Sequence, residues 1–147
     1  MWEFEHTITT GARAKTIWEL YSDISSWVVW DKGIAYVSLE GTFTAGTRGI
    51  LQPEGQERLA FELTEVEPRR GFSDVTDMPE AGIQIHFTHR LQETGEGTAI
   101  THRVQITGPE AERLGPQIGA HMVQGIPDTM ECLASLALDR ERQQHAK

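Results

Sequence analysis

Between Ile34 and Thr107, no break between apolar runs is long enough to hold a crossover helix. Strands joined by such short breaks run antiparallel to their neighbours, because a parallel pair needs a connection of a dozen or more residues. The apolar runs predict strands over 34–39, 48–51, 57–67, 71–76, 82–91 and 98–107. The breaks carry turn formers: Gly41 to Gly46, Pro53-Glu54-Gly55, Pro68, Asp77-Met78-Pro79 and Gly95-Glu96-Gly97. The last is the clearest hairpin signal. An earlier strand is read where Trp2, Phe4, His6 and Ile8 alternate with Glu3, Glu5 and Thr7, a pattern with one dry face. Two short helices follow it. The first, over 12–21, places Ile17, Trp18 and Tyr21 at helical spacing; the second is capped by Ser22-Asp23 and carries Ile24 and Trp27.

After Gly108-Pro109 the period changes. Leu114, Ile118, Met122, Ile126, Met130, Leu133 and Leu136 recur every three or four residues, which predicts one long helix from 109 to about 140. Pro116 and Pro127 lie inside it, and breaks or kinks are expected near both. An antiparallel sheet with one dry face must cover that face, and only this helix is long enough to do so. The expected fold is α+β, a curved antiparallel sheet wrapped around a long C-terminal helix, in one domain spanning 1–147. A curved sheet gripping a single helix leaves space between them, and ligands sit in such space.

Several stretches, taken in order, carry a family resemblance. They are Ala14-Lys15-Thr16-Ile17-Trp18, Ser22-Asp23-Ile24 with Trp27 and Trp30-Asp31, and Leu39-Glu40-Gly41-Thr42-Phe43 with Gly46-Thr47 and Gly49. Phe87, His89 and Leu91, Gly97-Thr98, Thr101-His102-Arg103-Val104 and Gly108-Pro109 complete the pattern. The order resembles the helix-grip fold of the START-like superfamily, also called SRPBCC, which includes birch-pollen-allergen-like proteins and bacterial polyketide cyclases. The resemblance implies a cavity for a hydrophobic ligand. It implies no particular reaction, because the superfamily mixes carriers, sensors and cyclases.

Composition narrows the partners. The net charge of −9 repels phosphates, so nucleic acid is not expected as a partner. No apolar run approaches the roughly 20 residues of a membrane helix, so no stable membrane association is expected. The single cysteine, Cys132, cannot form an internal disulfide. The opening Met1-Trp2-Glu3-Phe4-Glu5 lacks a basic region followed by an apolar stretch, and a cytoplasmic location is expected. The glycines at 41, 46 and 49 lie between strands rather than before a helix, so no phosphate loop is read, and there is no nucleophile elbow. No cofactor is expected. A homodimer is admissible, and nothing in the sequence decides the oligomeric state.

Phase along the strands selects the polar candidates. His89 falls in step with Ile83, Ile85, Phe87 and Leu91, and His102 with Ile100, Val104 and Ile106. Pairing Leu91 with Ile100 brings both dry faces together and sets His89 opposite His102, with Cβ atoms about 5 Å apart. Such a pair can act as acid and base or polarise a ligand carbonyl; alternatively both are core histidines that have simply found partners. His86 and His89 point to opposite faces at strand spacing, so they cannot share an ion, and no metal site is expected. Arg103 is placed on the wet face. Trp30 and Tyr36, flanking Lys32-Gly33, are read as ligand contacts near a pocket mouth, although Tyr36 can face either way. Phe61, Phe72, Phe87, Met122 and Ile126 are read as apolar lining, with ordinary core packing as the alternative. Two functions follow. One is carrier- or sensor-like binding of a hydrophobic small molecule. The other is a cofactor-free polyketide cyclase or dehydratase that uses the histidines.

Overall fold

The computed structural model describes residues 1–145. Strand β1 (Trp2–Thr10) leads into α1 (Ala14–Ser22), a single 3-10 turn (Ile24–Ser26) and the one-turn α2 (Trp27–Trp30). Six strands follow: β2 (Ile34–Leu39), β3 (Arg48–Pro53), β4 (Leu59–Glu67), β5 (Gly71–Met78), β6 (Ile83–Thr94) and β7 (Gly97–Thr107). The chain then forms α3 (Ala111–His145). All seven strands make one antiparallel sheet in the order β1-β7-β6-β5-β4-β3-β2, so β1 closes onto the last strand rather than onto its sequence neighbour. This is the expected helix-grip architecture.

The sheet has a dry inner face and a polar outer one. Along β1, Trp2, Phe4, His6 and Ile8 are half-buried while Glu3, Glu5 and Thr7 are exposed. On the outer face Arg103 pairs with Glu3, as its phase predicts. The β6–β7 hairpin turns through Gly95-Glu96, with Thr94 opposite Gly97. Gly97 has φ 154°, and a side chain there would run into the carbonyl oxygen of Thr10. A larger residue would therefore strain both its own backbone and the junction with β1. The next residue ties the same junction from the other side: the buried Thr98 hydroxyl donates to the Ala12 carbonyl at 2.8 Å.

The core has two parts. One gathers α1, α2 and the C-terminal half of α3, with Ile17, Leu20, Tyr21, Trp27, Phe61, Leu63, Phe72, Met130 and Leu133 all buried. The other, around Ile83, Ile85, Val104, Ile106 and Ala111, takes in Leu114, Ile118 and Met122 from the first half of the helix. Ile126 touches both. The six helix residues expected to pack on the sheet (Leu114, Ile118, Met122, Ile126, Leu133 and Leu136) all join one core or the other. The expected breaks do not occur: α3 runs as one helix through Pro116 and Pro127. A proline inside a helix costs about 3 kcal/mol. Burial of an apolar stripe along both halves, at about 25 cal/mol per Å² removed from water, outweighs that. No helix among the described residues is long and apolar enough to cross a membrane.

The helix is seated through two glycines. A side-chain carbon at Gly115 or Gly119, one turn apart, would overlap the ring system of Trp2. Gly125, by contrast, faces open space. Alanine is the better helix former by about 1 kcal/mol, so propensity alone favours both substitutions. The packing reverses one of them. Gly119→Ala should lower stability by about 1–3 kcal/mol through overpacking, while Gly125→Ala should raise it by about 0.5–1 kcal/mol. Urea denaturation of the two variants beside the parent checks this, and equal stabilisation by both would contradict the Trp2 seat.

Candidate functional site

The hairpin register is the one that phase predicts: Leu91 faces Ile100 and His89 faces His102. Their rings meet edge to face, with centroids 4.6 Å apart. The row continues on both sides. His6 on β1 stands opposite His102, and Phe72 on β5 stands opposite His89, so four inward side chains cross four neighbouring strands. Phe72 stacks flat on His89, with 4.0 Å between centroids and 9° between planes. Over this row lies Tyr21 of α1, fully buried, with its hydroxyl 2.8 Å from His102 Nε2.

Hydrogen bonds from neighbouring elements hold these groups. Tyr21 is positioned by the aromatic cluster of α2: Trp27 Nε1 donates to the Tyr21 carbonyl at 2.8 Å, and Trp30 Nε1 donates to Ser26 Oγ at 3.0 Å. The buried Ser26 hydroxyl in turn donates to the Leu20 carbonyl at 2.7 Å. His89 Nδ1 lies 3.3 Å from the Phe72 carbonyl oxygen. A carbonyl oxygen can only accept, so Nδ1 carries the proton and Nε2 presents a lone pair. No described group hydrogen-bonds that Nε2. Among the described residues no polar side-chain atom is both fully enclosed and unpartnered, so Nε2 reaches accessible space.

Burial sets the charge states. It is the main cause that lowers His89 to about 4, aided by the nearby Arg90 and partly offset by the bond to the Phe72 carbonyl. Burial also holds His102 well below the ordinary histidine range, with His89 and His6 adding to the effect. The Tyr21 hydroxyl is pushed up by burial. At neutral pH the cluster is therefore two uncharged imidazoles and a phenol.

One inward ionisable group was not singled out by the sequence. Asp74 on β5 is only 7% exposed, lies between Leu63 of β4 and Phe87 of β6, and is raised to about 8 by burial. Its signal was present: it stands in phase with Phe72 and Thr76, the buried face of the strand.

The remaining candidates divide. Trp30, Phe61 and Phe72 are buried in the first core, and Phe87, Met122 and Ile126 are half-buried in or beside the second. All six pack in the cores between sheet and helices. Trp30 packs edge-on to Tyr21 at 6.0 Å, so it is an interior residue rather than one at a loop mouth. Tyr36 does not join them. It is 39% exposed, with the Arg58 guanidinium 4.2 Å above its ring. A bulge between Ile34 and Tyr36 shifts the register of β2, and Val37 and Leu39 take the inward positions instead. His86 points outward to Thr107 Oγ1 at 3.2 Å, on the face opposite His89, and no cluster of three metal-ligating side chains exists among the described residues. His121 and Asp128 are exposed, and Cys132 packs half-buried against the core. Two surface concavities, of about 740 and 390 Å³, lie at opposite ends of the sheet: one at Glu67–Arg70 and Arg90–Glu93, the other at Asp77, Gly82 and Pro109. Neither is lined by His89, His102 or Asp74.

Comparison with known proteins places this arrangement. The family model described as "Polyketide cyclase / dehydrase and lipid transport" matches residues 1–137. The chain belongs to that family. No curated protein matches it. Among solved structures, a Mesorhizobium loti protein is 20% identical with a TM-score of 0.73, covering 95% of this chain and 98% of its own. A norcoclaurine synthase point mutant from Thalictrum, solved with a transition-state analogue, is 15% identical at TM-score 0.71, covering 95% and 96%. The di-domain ARO/CYC StfQ from the steffimycin biosynthetic pathway superposes at TM-score 0.78 with 10% identity, covering 95% of this chain and 51% of that one. At these identities the likeness is one of fold.

The charge states have a measurable consequence. An unfolded His89 takes its proton near 6.5, whereas the folded one waits until about 4. The unfolded state thus binds more protons between those values, and stability should fall as pH drops through that window. His89→Phe should fold and remove that part of the loss, of order 1–3 kcal/mol between pH 6.5 and 4. As pH drops through the window, the urea midpoint should fall further in the parent than in the variant; parallel curves would mean that His89 is not buried neutral.

Proposed function

We propose that the chain binds an uncharged hydrophobic small molecule between the inner face of the sheet and α3, with His89 Nε2 as its polar contact. The observation that carries this reading is the free lone pair of His89 in apolar surroundings. An accessible acceptor in apolar surroundings, with no protein partner, gains roughly one hydrogen bond from a ligand hydroxyl, about 1 kcal/mol. Phe61, Phe72, Phe87 and Ile126 offer an aromatic and aliphatic lining, and Met122 offers an adaptable one. Membership of a family that includes lipid transport and polyketide cyclases supports the same ligand class.

Because Nε2 accepts, it should favour ligands with an O–H group. Calorimetric titration with 2-naphthol should give tighter binding than with naphthalene by about five-fold, and His89→Phe should erase the preference. Equal binding of the two compounds by the parent would leave a pocket chosen by shape alone.

A second reading, a cofactor-free cyclase or dehydratase, is favoured by the same lone pair. The imidazole beside the Tyr21–His102 hydrogen bond is uncharged at neutral pH and can accept a proton, as a weaker base than free imidazole because burial lowers it to about 4. It would remove a proton from carbon next to a bound carbonyl. In D₂O the parent should then speed deuterium uptake at the methyl group of 2-acetylnaphthalene, followed by proton NMR, and His89→Phe should not. Uptake at the buffer rate with the parent would leave binding as the function.

A further inference from the structure

Asp74 takes no part in the histidine row, yet it is the other inward ionisable group of this face. It is more than nine-tenths buried, and no described group hydrogen-bonds its carboxyl. Since no unpartnered side-chain polar atom is fully enclosed, the carboxyl oxygens must reach accessible space from inside the apolar face. Its position relative to His89 is fixed by register. Asp74 pairs with Phe87, and His89 is two residues further along the same inward face of β6. Diagonal neighbours of this kind lie about 7–8 Å apart. Around Asp74 stand Leu63, Phe72, Thr76 and Phe87, none of them a cation. The Asp74 carboxyl therefore stays protonated at neutral pH, consistent with a pKa of about 8.

We infer that Asp74 is a second polar station of the ligand site, which donates its carboxylic O–H to a carbonyl of an uncharged aromatic hydroxy-ketone whose hydroxyl is held by His89. The two stations offer opposite chemistries: His89 Nε2 can only accept, and a protonated carboxyl that no described group hydrogen-bonds is an unused donor. A molecule that satisfies both must carry a donor and an acceptor set apart by a rigid apolar body. A charged carboxylate ligand finds no cation here, and an ammonium ligand would have to ionise Asp74 against its burial.

This inference rests on the proposed ligand-binding reading, and 2-acetylnaphthalene separates the two. The compound has a carbonyl and no titratable group, so any pH dependence of its binding belongs to the protein. Its affinity for the parent should fall roughly ten-fold as pH rises from about 6 to about 9 and Asp74 ionises. Asp74→Asn keeps a donor, removes the charge and should bind with a flat profile. Asp74→Leu should weaken the ketone roughly five-fold at pH 6 while leaving 2-naphthol unchanged. A flat profile with the parent, or equal ketone binding by parent and the leucine variant, overturns the role of Asp74 and leaves ligand binding standing. Tighter binding of 2-(aminomethyl)naphthalene than of the ketone would overturn it in favour of a cationic ligand. If neither the ketone nor 2-naphthol binds the parent at any pH, the ligand-binding reading itself fails.

Discussion

The seat of Trp2 against Gly115 and Gly119 fixes where the long helix lies, and the rest of the interior follows from it. Without side chains at those two positions, α3 comes down close to β1. One helix cannot then also press against the far side of a seven-stranded sheet. The other end of the inner face is covered by α1 and α2, whose aromatic side chains reach Phe43, Phe61 and Phe72. Between these ends, the middle strands β5 and β6 turn Asp74, Phe87 and His89 inward.

Polar groups survive in such a place only in the charge state that burial permits. Tyr21 and His102 satisfy each other, and His89 spends one nitrogen on the Phe72 backbone. What remains unsatisfied is one acceptor on β6 and one carboxyl on β5. The outer face behaves differently: its ion pairs, Arg90 with Glu65 and Arg48 with Glu62, are exposed and contribute little to stability. Charge belongs to one side of this sheet and uncharged hydrogen-bonding groups to the other.

Period and phase made most of this legible. The alternation of β6 and β7 was enough to pair His89 with His102, because a one-residue slip would have turned both apolar faces to water. The stripe of α3 gave its packing residues for the same reason. Tyr36 was not legible: both phases of β2 are apolar, and a bulge leaves no mark in composition. At Pro116 and Pro127 the helix continues without a break, which local rules miss because they do not weigh tertiary burial. The Tyr21–His102 contact spans 81 positions and depends on how α1 lies over the sheet, which no local pattern encodes. The phase of Asp74 with Phe72 and Thr76 marks it as inward, although an acid in a strand of mixed polarity otherwise reads as solvated.

The bulge in β2 matters beyond the side chain it displaces. An open sheet ends in two rows of unpaired amides and carbonyls, each a template on which another strand could grow. Here one margin, β2, has only six residues and is broken by that irregularity. The opposite margin, β1, displays Glu3 and Glu5 at alternate positions. A second molecule trying to extend the sheet would find a distorted ladder on one side and negative charge on the other. Both margins of this long hydrogen-bonded sheet are thus poor templates for a further strand, while its apolar face is turned inward.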